Sequence, residues 1–132
     1  MSEGRRQWCV LLVDDYPDAR EMYGVHLTAS GFDVVQATNG VEAIQRAIEV
    51  SPDIIIMDLS LPVMDGWEAT RRLKADARTA MIPVLALTGH VLSPRLEDAA
   101  LAGCRALVTK PCLPEDLEIE IEKILGPRPV DS

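Results

Sequence analysis

Five short runs rich in Val, Ile and Leu alternate with longer amphipathic or Ala- and Glu-rich stretches, a pattern that predicts repeated βα units. Residues 8–14 (Trp-Cys-Val-Leu-Leu-Val-Asp) form the first run, and Pro17 suits the first position of a helix over 17–30 that Gly31 stops. Residues 32–37 read as a second strand. Asn39 with Glu42 three positions later makes a capping-box-like start to a helix reaching about Val50. Residues 53–58 carry Ile54, Ile55, Ile56 and Met57 without interruption, which suits a strand covered on both faces and therefore central in a parallel sheet. Asp65 with Glu68 caps a third helix, and residues 82–87 form a fourth strand with Pro83 near its start. Ser93-Pro94 opens a fourth helix that Gly103 ends, residues 105–109 make a fifth strand, and Pro114 begins the last helix. In that last element Leu117 to Glu122 alternate as a strand would. Leu117, Ile121 and Ile124 also fit helical spacing, and four preceding βα units favour a covering helix that leaves Ile119 off the core face. Strands separated by helices pair in parallel with right-handed crossovers, so the expected fold is an α/β open sheet with helices on both faces.

Composition narrows the classes. At 132 residues the chain fits one domain, expected over 8–125 between tails at 1–7 and 126–132, and 48% hydrophobic residues supply a core without metal or disulfide. Thirteen Lys and Arg against 21 Asp and Glu leave a net charge of -8, which argues against direct nucleic-acid binding. Cys9, Cys104 and Cys112 form no Cys-x-x-Cys and are odd in number, as expected of buried thiols in a reducing cytoplasm. No apolar run approaches a membrane span and residues 1–7 resemble no signal peptide, so a soluble, cytoplasmic protein with no membrane insertion is expected.

Ligands of open parallel sheets bind beyond the carboxyl ends of the strands, where strand order reverses. The predicted strands deliver Asp14 and Asp15, Asp58, Thr88 and Lys110 to that rim. Three carboxylates in one cleft repel, so unless protonated they need a cation, and hard oxygen ligands at a partly open site suit Mg²⁺. A carboxylate beside such a cation can act as nucleophile on phosphorus. Asp58, ending the central strand, is the best placed, with Lys110 and the Thr88 hydroxyl answering phosphoryl oxygens. Singly these residues are ambiguous: Asp15 could be a helix cap, Thr88 a strand-end hydroxyl and Lys110 a solvated charge. His26 shares a helical face with Ala19 and Met22 and reads as a core or boundary histidine.

Val13-Asp14-Asp15, Ile56-Met57-Asp58-Leu59, Leu61-Pro62-Val63-Met64-Asp65-Gly66, Leu87-Thr88-Gly89 and Thr109-Lys110-Pro111 resemble, in order and spacing, the motifs of receiver domains of bacterial two-component response regulators. The resemblance covers residues 8–125, and the chain is similar to stand-alone receivers of the chemotaxis or phosphorelay type, unless it was cut from a larger regulator or hybrid kinase. It implies a flavodoxin-like five-stranded sheet in the order 2-1-3-4-5 and phosphorylation of Asp58 by a histidine kinase or phosphotransfer protein, with signalling through altered contacts with a downstream protein target. It further implies Mg²⁺ ligation by Asp15, Asp58 and the backbone carbonyl of Ser60, with Asp14 acting mainly through water. Lys110-Pro111 would be cis, Gly89 would keep the approach of the phosphoryl donor clear, and side chains at Ser60 and His90 would flank the water that dephosphorylates. The family's switch also rotates an aromatic ring three residues before the lysine. Here that position is Leu107, which puts the output mechanism in question.

Three other functions remain in view. A haloacid-dehalogenase-type Mg²⁺ phosphatase also uses an Asp nucleophile, but in an Asp-x-Asp motif that Asp14-Asp15-Tyr16 does not provide. A flavin site would need a Ser/Thr-rich phosphate loop where Asp14-Asp15-Tyr16-Pro17-Asp18 stands. A phosphorylation-independent docking module would keep the site and lose the switch, as Leu107 could suggest.

Overall fold

Strand β1 (Cys9–Val13) lies between β2 (Asp33–Ala37) and β3 (Ile54–Asp58), followed outward by β4 (Val84–Thr88) and β5 (Ala106–Thr109), giving one parallel sheet in the order 2-1-3-4-5. This is the arrangement in a computed structural model that describes residues 7–59, 61, 63–89 and 103–126. Among the described residues four helices cover the sheet: α1 (Pro17–Ala29), α2 (Gly40–Val50), α3 (Gly66–Ala75) and α4 (Pro114–Leu125). The helix expected after Ser93-Pro94 lies outside the described residues, as do Ser60 and His90.

Alternation along each strand divides the core into two layers. Leu11, Val13, Ile55, Met57, Val84 and Ala86 face α2 and α3, where Ala43, Ala47, Trp67 and Leu73 meet them. Val10, Leu12, Ile54, Ile56, Leu85 and Leu87 face α1 and α4, against Tyr23, Leu27, Leu117 and Ile121. All five residues of β3 and of β4 are buried, as strands covered on both faces must be. Burying one such Ile side chain is worth about 1.5–3 kcal/mol, so the central strands anchor the domain.

The local signals operate with two adjustments. The Glu42 N–H donates to Asn39 Oδ1 at 2.8 Å, but the Glu42 carboxylate reaches back one residue further than a capping box requires, accepting from the Thr38 N–H at 2.6 Å and the Thr38 hydroxyl at 3.1 Å. Asp65 Oδ1 accepts from the Glu68 N–H at 2.9 Å. Strand β4 starts at Val84, not at Ile82, because the Ile82 N–H donates to the Thr79 carbonyl and the Ile82 carbonyl accepts from Lys74 Nζ. The alternating segment near the C-terminus is helical: Leu117 and Ile121 are fully buried and Ile119 is exposed.

Other expectations need correction. Cys9, Cys104 and Cys112 are free but only half-buried. Burial pushes all three thiols above their ordinary range, which disfavours the nucleophilic thiolate. His26 lies at the boundary, one of the two positions expected for it, although Met22 on that face is exposed; its Nε2 meets Glu118 Oε1 on α4 at 2.8 Å, and the Ser30 hydroxyl donates to the same oxygen.

Candidate functional site

The strand register builds the site. Val13 pairs with Met57, so the next residues, Asp14 and Asp58, stand level with each other; Asp58 itself pairs with Leu87, and Thr88 with Thr109. The carboxyl ends of β1, β3, β4 and β5 therefore deliver Asp14 and Asp15, Asp58, Thr88 and Lys110 to one rim, where strand order reverses between β1 and β3. The Lys110 N–H donates to the Thr88 carbonyl at 2.7 Å, and the following Lys110-Pro111 peptide is cis, as the resemblance implied.

Asp14 is fully buried and Asp58 is 6% exposed, whereas Asp15 is open to solvent. One carboxylate oxygen from each lies within 4.8 Å of the other two. Lys110 Nζ sits 3.2 Å from both Asp14 Oδ2 and Asp58 Oδ2. Burial works to lower the Lys110 pKa, but the attraction of Asp58 and then Asp14 overrides it and the net shift is upward, so the ammonium is charged at neutral pH. One ammonium among three carboxylates leaves a negative surplus in a partly buried cleft. All-oxygen donors at this spacing fit a hard divalent cation such as Mg²⁺.

Asp14 is fixed at every polar atom. Its N–H donates to the Ala37 carbonyl, Oδ1 accepts from the Tyr16 N–H at 2.9 Å, Oδ2 meets Lys110 and its carbonyl accepts from Arg20. Helix α1 starts from Tyr16 with no side-chain cap, so Asp15 is not the cap it could have been. Beyond β3, Gly66 permits close packing of α3 against the acceptor strand: a Cβ there would stand 2.5 Å from the Asp58 carbonyl. In the intervening loop Val63 holds a left-handed φ of 67°, unfavourable for a β-branched residue. Thr88 is buried at the end of β4. Leu107 is half-buried against the α2 and α3 layer, and a Cβ at Gly89 would meet nothing within 4 Å.

Sequence reasoning missed Arg20 and Tyr23. The Tyr23 hydroxyl donates at 2.7 Å to the Cys112 carbonyl, tying α1 to the segment after the cis peptide. Their signal was available as spacing: a helix beginning at Pro17 turns positions 20 and 23 back toward the strand ends.

An acidic, lysine-bearing cleft at the switch point of a 2-1-3-4-5 parallel sheet defines a class of α/β domains suited to a cation and a phosphoryl group. The response regulator receiver domain family matches residues 10–122, and the chain belongs to it. It is 34% identical over 116 residues to the DNA-binding dual master transcriptional regulator RpaA of a Synechocystis species, covering 88% of this chain and 48% of that protein; it thus spans about half the length of that relative. Polar-differentiation response regulator DivK of Brucella anthropi is 35% identical over 102 residues, 77% of this chain and 83% of DivK. Among solved structures, the receiver domain of sensor histidine kinase PA1611 from Pseudomonas aeruginosa, with a magnesium ion coordinated in its active-site cleft, superposes with a TM-score of 0.85 at 30% identity, covering 92% of this chain and all of that one. The chain is thus a two-component signalling receiver. No helix among the described residues is long and apolar enough to cross a membrane.

Proposed function

We propose that Asp58 is the phosphoacceptor of this receiver and that Asp14, Asp15, Asp58 and the Ser60 carbonyl hold Mg²⁺. The observation that carries the reading is the cluster of three carboxylates with Lys110 bridging Asp14 and Asp58. A carboxylate oxygen of Asp58 forms the new O–P bond as the P–N bond of a phosphohistidine, or the P–O bond of acetyl phosphate, breaks and its electron pair leaves with the donor. Bound Mg²⁺ would supply charge neutralisation at the phosphoryl oxygens. Lys110 then exchanges part of its pairing with Asp58 for a phosphoryl oxygen, and the Thr88 hydroxyl donates to another. The donor is a histidine kinase or phosphotransfer protein, the output is an altered contact with a downstream protein, and the domain catalyses no turnover beyond its own phosphorylation and dephosphorylation. Three free thiols fit a reducing cytoplasm.

Intact-mass measurement after incubation with acetyl phosphate tests this. The expected result is a single Mg²⁺-dependent phosphoryl adduct on wild type and none on Asp58→Asn. An unchanged adduct on the variant overturns the assignment. Leu107 supports a second reading, a docking module indifferent to phosphorylation, because no ring is present there to change rotamer. Partner affinity unaffected by Asp58→Asn and by phosphoryl analogues would favour it.

A further inference from the structure

The geometry points to Arg20 as a positioning residue for the cation site, acting through the peptide that joins Asp14 to Asp15; this rests on the proposed reading of that site. Arg20 Nη1 donates to the Asp14 carbonyl at 2.8 Å while its Nε donates to Gln36 Oε1 on β2 at 3.1 Å. The carbonyl of Asp14 and the N–H of Asp15 belong to one planar peptide unit, so holding that oxygen sets the direction in which Asp15 leaves β1. Asp15 is the exposed member of the three-carboxylate cluster, with a backbone that follows the last ladder position of β1. The other three polar atoms of Asp14 are held by Ala37, Tyr16 and Lys110. Arg20 completes the set from α1.

A second observation supports the device. Gly24, one turn after Arg20 in the interior of α1, is buried, and a Cβ there would stand 3.1 Å from Gln36 Nε2. Glycine is an unfavourable helix-interior residue, but here it admits the Gln36 amide that orients the guanidinium. A planar guanidinium serves two acceptors in fixed directions, which an ammonium on a flexible stem does not reproduce.

Charge and geometry predict opposite outcomes. A nearby cation by itself weakens binding of a second cation, so if Arg20 mattered only as a charge, removing it would tighten Mg²⁺ binding. If it positions Asp15, removing it weakens binding, and so does Arg20→Lys, which keeps the charge. The test is calorimetric titration of the full chain with MgCl₂ alone, for wild type, Arg20→Lys, Arg20→Gln and Gln36→Leu, alongside thermal unfolding without Mg²⁺. Both Arg20 variants should weaken Mg²⁺ binding by about 10-fold or more, in the range for residues that orient metal ligands, and Gln36→Leu should do so to a smaller extent. The yield of acetyl phosphate adduct should return toward wild type at saturating Mg²⁺. Unchanged or tighter Mg²⁺ binding in folded Arg20 variants overturns the inference, whatever happens to their melting temperatures. Should those variants not fold, unaltered binding by Gln36→Leu overturns it. Wild-type protein that binds no Mg²⁺ overturns the reading of the site itself, an outcome distinct from the others.

Discussion

The middle of the sheet and its carboxyl rim are both buried, yet they obey opposite rules. In the middle, Leu11, Leu12, Ile54, Ile55, Ile56 and Leu85 are fully buried with apolar neighbours on each face. At the rim, where Asp14 follows β1 and Asp58 ends β3, Asp14 is as deeply buried and Asp58 nearly so. Carboxylates gathered in this way gain nothing from burial and repel one another, and the single lysine between them offsets only part of that cost. The apolar middle supplies the stability that lets the rim remain electrostatically unfinished, and an unfinished anionic site is one that a cation and a phosphoryl group can complete.

Four perturbations test this division. Largest is Ile56→Ala in the sheet centre, which should cost about 2–5 kcal/mol in urea unfolding and leave the Mg²⁺-dependent adduct intact while the protein is folded. Next is ligand linkage: Mg²⁺ at one hundred times its Kd should raise wild-type unfolding free energy by about 2.7 kcal/mol. Asp15→Asn should lose most of that gain, which paired melts with MgCl₂ and with EDTA would show. Third, Asp58→Asn should raise stability in Mg²⁺-free buffer by about 1 kcal/mol, the scale of a partly screened like-charge contact, while abolishing the adduct. A clear loss of stability instead would mean that Lys110 already balances the rim.

The smallest effect is a contrast case on the exposed surface. Asp76 is held down from 3.8 to about 2 by hydrogen bonds from the Arg78 side chain and backbone. A carboxyl with a depressed pKa in the folded state contributes stability above its unfolded value that disappears as pH falls through the folded one. The advantage of wild type over Arg78→Gln in melting temperature should therefore shrink from about pH 4 to about pH 2. It should be small at every pH, since the pair is solvent-screened.

The sequence made the fold legible where a residue's local and tertiary roles agree. The uninterrupted run Ile54 to Met57 signals a strand covered on both faces and is one. Leu117 and Ile121 serve a helix even though the intervening glutamates mimic a strand. Boundaries slipped where tertiary bonds take over, as at Ile82, whose backbone groups are used by Thr79 and Lys74 before β4 begins. The convergence of Asp14, Asp15, Asp58, Thr88 and Lys110 was readable because each ends or follows a predicted strand and strand ends share a rim. Arg20 left only its spacing from Pro17 as a signal, because its partners are a backbone carbonyl and the side chain of a residue on β2, neither of which leaves a mark in a motif. Half-burial of the cysteines was likewise illegible, since it depends on how closely neighbouring elements cover each thiol.

The most direct test of the central claim is chemical. After reaction with acetyl phosphate and Mg²⁺, borohydride reduces an aspartyl phosphate to homoserine, and tandem mass spectrometry of the digested protein locates it. The account predicts conversion at Asp58 and nowhere else. Conversion at Asp14, Asp15 or Asp65, or an adduct at full occupancy that yields no homoserine, would contradict it.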